Sequence, residues 1–221
     1  MVQVTLMLEI ISFDVDGTLV DTAYADAVWL EGIPLLYAQE HHVDVDTARE
    51  QVVKAYDSIG DMDLRWYDLS YWFDRFKLQG SYEELLDTYR YAIHVYEDVI
   101  PVLQELHDVY TLIVISNAHR DFLNRTLHSM EEYFEHIFSA TSDYGRVGKS
   151  ENFYRRICRT LDISPQKMAH VGDHVEFDYC APSRVGIQAF FLDRKKATDR
   201  QALHTLGEFR EEIRNLEKCQ E

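Results

Sequence analysis

Two carboxylates stand two residues apart in this sequence, at the point where an apolar run gives way to a glycine. Asp14 and Asp16 follow residues 8–13 and precede Gly17. An unpaired buried carboxylate is costly, and two close together cost more unless a cation or a reaction uses them. Side chains two residues apart on a strand point to the same face, so both acids can face one ligand. A solvated Asp-Gly turn is the alternative for this fragment alone.

Polar residues also follow two later apolar runs, residues 111–115 and 168–171. Together with a lysine from the loop between the runs, they are Ser116, Asn117, Lys149, Gly172, Asp173 and Asp178. Singly they have ordinary explanations, because Ser-Asn caps helices, Gly-Asp forms turns and a loop lysine is usually solvated. The carboxyl ends of parallel strands meet at one sheet edge, however, so these residues can converge with the two acids above. Their joint occurrence at strand ends favours a functional site.

The elements that must position these residues are short apolar strands separated by helices. Five runs have the character of buried parallel strands: Leu8–Phe13, Thr111–Ile115, His136–Ser139, Met168–Val171 and Gln188–Leu192. Apolar residues at helical spacing lie between them, and Asp98 is predicted to cap the helix that follows it. This alternation predicts an α/β fold: a Rossmann-like, doubly wound parallel sheet with helices on both faces.

The alternation of strand and helix patterns stops between residues 20 and 96. No alternating strand pattern occurs there, while tyrosine, tryptophan and acidic residues concentrate. Ser81 and Glu84 have capping-box spacing, and Asp44 or Asp46 is suited to cap another helix. We therefore predict an all-helical cap domain over residues 20–96, inserted into a catalytic core of residues 1–19 and 97–221. Its position predicts a lid above the carboxyl edge of the sheet.

The composition limits the possible partners. The 221 residues include 22 basic and 39 acidic ones, a formal net charge of −17. Nucleic acids and anionic membranes require a basic face, so neither is an expected partner. The three cysteines form no Cys-x-x-Cys pair, and neither a signal peptide nor a run long enough to span a bilayer is evident. These features predict a cytoplasmic protein, as a monomer or a homodimer, with its start at Met1 or Met7.

The motifs as a set resemble those of haloacid dehalogenase superfamily hydrolases of the phosphatase type. More narrowly, the position of the helical insertion resembles the phosphoglycolate phosphatase-like and N-acylneuraminate-9-phosphatase-like group. The resemblance covers the whole chain. Residues 14–18 match the first motif of the family, residues 116–117 the second, Lys149 the third, and Gly172-Asp173 with Asp178 the fourth.

The resemblance implies a two-step phosphoryl transfer. Asp14 would be the nucleophile that forms an aspartyl-phosphate, and Asp16 the general acid and base. Several acids around an anionic phosphate would repel it, and a hard cation removes that conflict. Mg²⁺ is accordingly the expected cofactor. Its expected ligands are Asp14, the backbone carbonyl of Asp16, and Asp173, with Asp178 in direct contact or orienting a metal-bound water or Lys149.

The same resemblance assigns the phosphate-binding groups. Ser116 and the backbone N–H of Asn117 would bind the phosphate, and Lys149 would balance its charge. Gly17 would allow a tight turn beside the phosphate, and the Thr18 hydroxyl would fix that turn by a hydrogen bond. The substrate would be a small phosphorylated metabolite.

Three other functions stay open. A phosphomutase shares all four motifs but returns the phosphoryl group to its substrate, which depends on water exclusion by the cap. A haloacid dehalogenase is disfavoured because Asp16 and Asp173 are both present. A binding or regulatory protein that keeps the fold without turnover is disfavoured because every expected catalytic residue is present.

Substrate choice is expected to depend on the cap. The stretch 61–67 is its most loop-like and chemically mixed segment. Arg65 is a candidate to hold a substrate carboxylate or second phosphate, and Trp66 and Tyr67 are candidates to stack on a ring. Aromatic packing between cap helices, with a surface arginine, is the alternative.

Overall fold

A computed structural model describes residues 7–197 and 202–218 and contains a five-stranded parallel sheet. The remaining residues of the predicted core, and with them Met1 and Cys219, lie outside the described part. The sheet order is β3-β2-β1-β4-β5. The strands are β1 (Ile10–Phe13), β2 (Thr111–Ser116), β3 (His136–Ser139), β4 (Met168–Gly172) and β5 (Gln188–Phe191). The predicted doubly wound α/β fold is confirmed.

The register places the strand ends side by side. Phe13 in the central strand pairs with Val114 on one side and Val171 on the other. The residues that follow these three positions therefore emerge at the same edge of the sheet. This alignment brings the first, second and fourth motifs together although the chain separates them widely.

Every regular element between Ala23 and Ala92 is helical. The helices are α1 (Ala23–Asp26), α2 (Ile33–His41), α3 (Val45–Ile59), α4 (Leu69–Phe76) and α5 (Tyr82–Thr88), with a π-helical turn at Ala27–Gly32 and 3-10 turns at Leu64–Tyr67 and Arg90–Ala92. Side-chain caps explain two of the starts: Asp44 accepts a hydrogen bond from the Thr47 N–H, and Ser81 from the Glu84 N–H. The helical character of this region agrees with the sequence pattern.

The helices that follow cover both faces of the sheet. They are α6 (Val99–His107), α7 (Arg120–Thr126), α8 (Ala140–Tyr144), α9 (Glu151–Thr160), α10 (Ala181–Val185) and α11 (Leu206–Lys218). One apolar layer includes Leu103 and Phe209, and the layer on the opposite face includes Tyr154 and Ile157. None of the described helices is long and apolar enough to cross a membrane.

Asp98 does not cap α6, which corrects the sequence-based expectation. It occupies the position before Val99, but its side chain makes no capping hydrogen bond. Its carboxylate instead accepts from the Leu206 N–H at 2.7 Å and pairs with Arg194. A contact with the distant α11 thus replaces the local cap.

The two chain segments that enter and leave the helical region run side by side. Val20 and Val95 form an antiparallel bridge, and the Tyr96 N–H donates to the Leu19 carbonyl at 3.1 Å. The helical region has its own apolar cluster, which includes Val52, Trp72 and Leu86. The division into core and cap domains at residues 20 and 96 stays a prediction.

Candidate active site

The loop after β1 positions the two acids of the first motif. The Asp14 N–H donates to the Val171 carbonyl at 3.0 Å, which continues the sheet one residue past the strand. The chain then turns tightly, because the Leu19 N–H donates to the Val15 carbonyl at 2.8 Å. Both Asp14 and Asp16 line one cavity of about 520 Å³ at this edge of the sheet.

Lys149 is buried directly against these acids. Its side chain is 3% exposed, and its Nζ lies 2.5 Å from an oxygen of Asp14 and 2.5 Å from an oxygen of Asp178. Its Nζ also donates to the Ile115 carbonyl at 3.3 Å. Burial opposes the charged form of the lysine, but the two carboxylates outweigh it and raise the pKa of Lys149. The alternative of a solvated loop lysine is therefore wrong.

Three carboxylates form a compact group of oxygen ligands. Asp14, Asp173 and Asp178 each offer an oxygen within 4.8 Å of the others. The carboxylate of Asp16 is not in this group, so only its backbone carbonyl remains a candidate ligand. Four acids and a single ammonium among the residues of this sheet edge leave an excess of negative charge. A hard divalent cation fits such a donor set.

Burial raises the pKa of three of the four acids, whereas the charge of Lys149 lowers the pKa of the fourth. Desolvation raises the pKa of Asp14 despite Lys149, and it raises the pKa of Asp16 to about 6. Asp173 is open to the cavity, yet desolvation and the charge of Asp178 raise its pKa to about 6. Burial also opposes ionisation of Asp178, but Lys149 and a hydrogen bond from a buried histidine hold its pKa well below the usual range. The site thus holds one stable ion pair beside acids that resist ionisation without a further cation.

Two glycines allow the loops to approach the acids closely. Gly17 has φ +78°, and a Cβ built there would lie 2.1 Å from Oδ2 of Asp173. A Cβ on Gly172 would lie 2.5 Å from Cγ of Asp178. A larger residue at either position would displace a carboxylate, so both glycines are needed for the packing of the site.

Ser116 and Asn117 connect the end of β2 to the lysine loop. The Ser116 hydroxyl accepts a hydrogen bond from the Ala118 N–H at 3.0 Å. The Asn117 side-chain oxygen accepts from the Gly148 N–H at 3.0 Å, which fixes the residue before Lys149. Both residues line the cavity, so the structure brings them to the same space as Asp14.

A buried network of polar side chains contacts the Asp178 carboxylate. His170 Nε2 lies 3.0 Å from Asp178 Oδ1 and 3.0 Å from the Tyr154 hydroxyl, and its Nδ1 lies 2.8 Å from the Ser12 hydroxyl. Sequence reasoning gave these residues no part in the site. A polar pair, Ser12 and His170, facing each other within apolar strands was the available signal.

The cap candidates divide into two groups. Trp66 and Tyr67 line the cavity, and their stacking on a substrate ring stays a prediction. Arg65 does not line it, which corrects the expectation that it could hold an anionic group of the substrate. Its guanidinium is exposed and makes two hydrogen bonds to Asp63, at 3.0 and 2.7 Å. Asp63 also caps the 3-10 turn, so Arg65 takes part in a local pairing and is not among the described residues that line the cavity.

Thr18 does not fix its turn through its hydroxyl. Its Oγ1 is buried and has no hydrogen-bond partner among the described residues, and neither Gly17 nor Thr18 lines the cavity. The Thr18 carbonyl instead accepts two hydrogen bonds from Arg194, at 2.9 and 2.7 Å. Arg194, which follows β5, therefore fixes the loop of the first motif.

Comparisons with known proteins agree with this fold. Residues 8–186 match the haloacid dehalogenase-like hydrolase family. The chain therefore belongs to this family and is a hydrolase of that class. No curated protein sequence matches the chain significantly.

Three solved structures illustrate the similarity of fold. A HAD phosphatase from Thermococcus onnurineus is 23% identical, with a TM-score of 0.81 over 93% of this chain and 98% of its own. A putative HAD-hydrolase from Bacillus subtilis, bound to magnesium, is 13% identical, with a TM-score of 0.64 over 94% and 99%. A 2-haloacid dehalogenase from Pseudomonas syringae is 22% identical, with a TM-score of 0.58 over 95% and 99%.

Proposed function

We propose that the protein is a Mg²⁺-dependent phosphatase that hydrolyses a small phosphomonoester through an aspartyl-phosphate. One observation carries the proposal. The Asp14 carboxylate borders an open cavity, in contact with a buried ammonium and beside two further carboxylates. Such a combination of a nucleophile and balancing charges is what phosphoryl transfer requires of a protein.

The side chains have complementary parts in the proposed reaction. An oxygen of Asp14 attacks phosphorus, and the bond between phosphorus and the alcohol oxygen breaks. Asp16, on the same loop, gives its proton to the leaving oxygen and then takes one from the water that hydrolyses the aspartyl-phosphate. Lys149 holds Asp14 in place, and Ser116 with the Asn117 N–H binds the phosphate oxygens.

Mg²⁺ fits the donor set of this site. Asp14, the Asp16 carbonyl and Asp173 would hold it, with Asp178 as a direct or water-mediated neighbour. The ion would neutralise charge between the carboxylates and the incoming phosphate. The magnesium bound in the Bacillus subtilis relative supports this choice.

The acids present also favour phosphate over halogenated substrates. Carbon–halogen cleavage has no use for a proton donor at position 16 or for a metal-binding acid at position 173. The Thermococcus onnurineus relative is named a phosphatase. Residues 20–96 would act as the cap over a core of residues 1–19 and 97–221. The position of this cap, and not the substrate, would place the chain with the phosphoglycolate phosphatase-like and N-acylneuraminate-9-phosphatase-like group.

The direct test is release of phosphate from a generic aryl phosphate with and without Mg²⁺. We expect turnover with Mg²⁺, its loss with EDTA, and loss of at least about three orders of magnitude in Asp14→Asn, because a missing nucleophile removes the covalent route. Glu176→Gln, at an exposed surface pair with Arg184, is the matched control and should retain activity. Metal-independent turnover, or full activity of Asp14→Asn, would contradict the proposal.

The phosphomutase alternative has its own assay. Sugar phosphates are incubated with the enzyme and Mg²⁺, and the products are separated. The phosphatase proposal predicts free phosphate. Isomerised sugar phosphates without net release would instead identify a mutase.

A further inference from the structure

The cavity has two chemically different halves. The half at the sheet edge holds the acids and Lys149. The half formed by the helical region and α7 contains five aromatic residues: Trp29, Tyr56, Trp66, Tyr67 and Phe122. A volume of about 520 Å³ is in the usual range for a small-molecule site, so one ligand can occupy both halves.

The aromatic half is held in place by its own contacts. The Trp29 ring stacks on Phe122 with centroids 5.8 Å apart and lies 5.9 Å from the Trp66 ring. The Tyr56 hydroxyl donates to the Trp29 carbonyl at 3.1 Å, and the Trp72 indole N–H donates to the Trp66 carbonyl at 3.2 Å. These bonds hold the backbone of both tryptophans, and the ring contacts hold the two rings against their neighbours before a ligand arrives.

The same half offers no positive charge to a ligand. Among the described residues that line the cavity, Lys149 is the only lysine or arginine, and it is already paired with two carboxylates. The charged residues on the helical side are both acidic, Asp26 and Asp61. A second anionic group on a substrate would therefore meet negative charge and find no partner.

We propose that the enzyme acts on monoesters whose alcohol part is a flat aromatic ring without a second anionic group, with Trp29 and Trp66 as the stacking surface and Asp26 and Asp61 as the groups that reject anions. This proposal rests on the phosphatase activity proposed above. With this substrate class, the enzyme would differ from phosphatases that act on small carboxylated or doubly phosphorylated substrates. A neutral or cationic substituent on the ring is accepted.

The test compares esters that differ in one feature. The substrates are benzyl phosphate, 4-carboxybenzyl phosphate, 4-(aminomethyl)benzyl phosphate, glycerol phosphate and phosphoglycolate, each with Mg²⁺. We expect kcat/KM for benzyl phosphate to exceed that for its carboxylated analogue by about tenfold or more, since like charges repel at short range. The aminomethyl analogue should match or exceed benzyl phosphate.

Variants assign the effect to residues. Asp26→Asn with Asp61→Asn should reduce the preference against the carboxylated ester several-fold. Asp57→Asn, at an exposed acid of α3 that is not among the described residues lining the cavity, should not reduce it. Trp66→Leu should raise KM for benzyl phosphate by about fivefold, the scale of a lost aromatic contact, and leave glycerol phosphate unchanged. Tyr91→Leu, at an aromatic residue that is 73% exposed, is the control.

The outcomes separate the two proposals. No phosphate release from any ester with Mg²⁺ would contradict the phosphatase function itself. Phosphate release with equal kcat/KM for the neutral and carboxylated esters, or with phosphoglycolate as the best substrate, would overturn the substrate class and leave the phosphatase function standing.

Discussion

At the scale of single residues, Lys149 decides how the acids of the site coexist. Its ammonium bridges Asp14 and Asp178, which are two buried carboxyl groups close together. A buried ion pair adds little net stability, because its attraction mainly offsets the cost of desolvation. Removal of one partner, however, leaves the other charge buried and unpaired in a medium of low dielectric. The lysine therefore has a folding role beside the chemical one.

Replacement of Lys149 by methionine tests that folding role. We expect Lys149→Met to lose about 3–5 kcal/mol of unfolding free energy in EDTA, the usual cost of breaking a buried pair. Added Mg²⁺ should restore more stability to the variant than to the wild type, because the ion replaces the missing positive charge. Urea unfolding with EDTA or Mg²⁺ measures both effects.

The matched control is Lys167→Met. Lys167 pairs with Glu9 on the surface, where such pairs contribute about 0–1 kcal/mol. Equal stability of Lys149→Met and wild type in EDTA would show that the ion pair is not needed for folding.

Replacement of Thr18 is expected to have the opposite effect on the unfolding free energy. Its buried hydroxyl has no partner among the described residues, and an unsatisfied buried polar group typically costs about 1–3 kcal/mol. Thr18→Val should therefore leave the unfolding free energy unchanged or increased, with kcat/KM within about twofold of wild type. A loss of more than about 1 kcal/mol on urea unfolding would show that the hydroxyl has a structural role.

At the scale of elements, Arg194 contacts three separate segments of the chain. Its guanidinium binds the Thr18 carbonyl, pairs with Asp98 at the start of α6, and lies 3.9 Å from the ring centre of Tyr96. Tyr96 belongs to the segment that leaves the helical region, next to the bridge between Val20 and Val95. The catalytic loop and the connection to the helical region thus share one anchor.

Lysine in place of Arg194 should loosen this anchor without removing its charge. A lysine lacks the planar fork that binds a carbonyl and a carboxylate together. We expect Arg194→Lys to lose about 1–3 kcal/mol of stability and to lower kcat/KM, as the loop that carries Asp14 becomes less ordered. Steady-state kinetics and urea unfolding measure these changes.

Arg184→Lys is the control for that substitution. Arg184 pairs with Glu176 on the surface, and both side chains are more than half exposed. Its replacement should change neither quantity. An unchanged Arg194→Lys enzyme would remove Arg194 from the positioning of the loop.

At the scale of the whole molecule, the site forms between a sheet edge and a helical region that the sequence separates. Sequence patterns predicted the sheet, because fully buried parallel strands appear as continuous apolar runs. They also predicted that Asp14, Ser116 and Asp173 lie at one edge of the sheet, because topology alone fixes where parallel strands end.

What the sequence could not reveal depends on side-chain direction and long-range contact. The pairing of Arg65 with Asp63 is a matter of local rotamers, and neither charge pattern nor spacing distinguishes it from a residue that faces the cavity. The contact of Arg194 with Thr18 joins positions 176 residues apart, with no motif to signal it. Phe122 lies on α7 yet packs in the apolar cluster of the helical region, which only the folded arrangement shows.

The central claim is that Asp14 carries the phosphoryl group during turnover. The most direct measurement traps that intermediate: wild-type enzyme turning over benzyl phosphate with Mg²⁺ is quenched with labelled borohydride, which reduces an aspartyl-phosphate, and the labelled peptide is identified by mass spectrometry. We predict label on the peptide that contains Asp14, at Asp14 itself, and none when Mg²⁺ is withheld. Phosphate release by the same sample with no label on Asp14, or with label on another residue, would contradict the account.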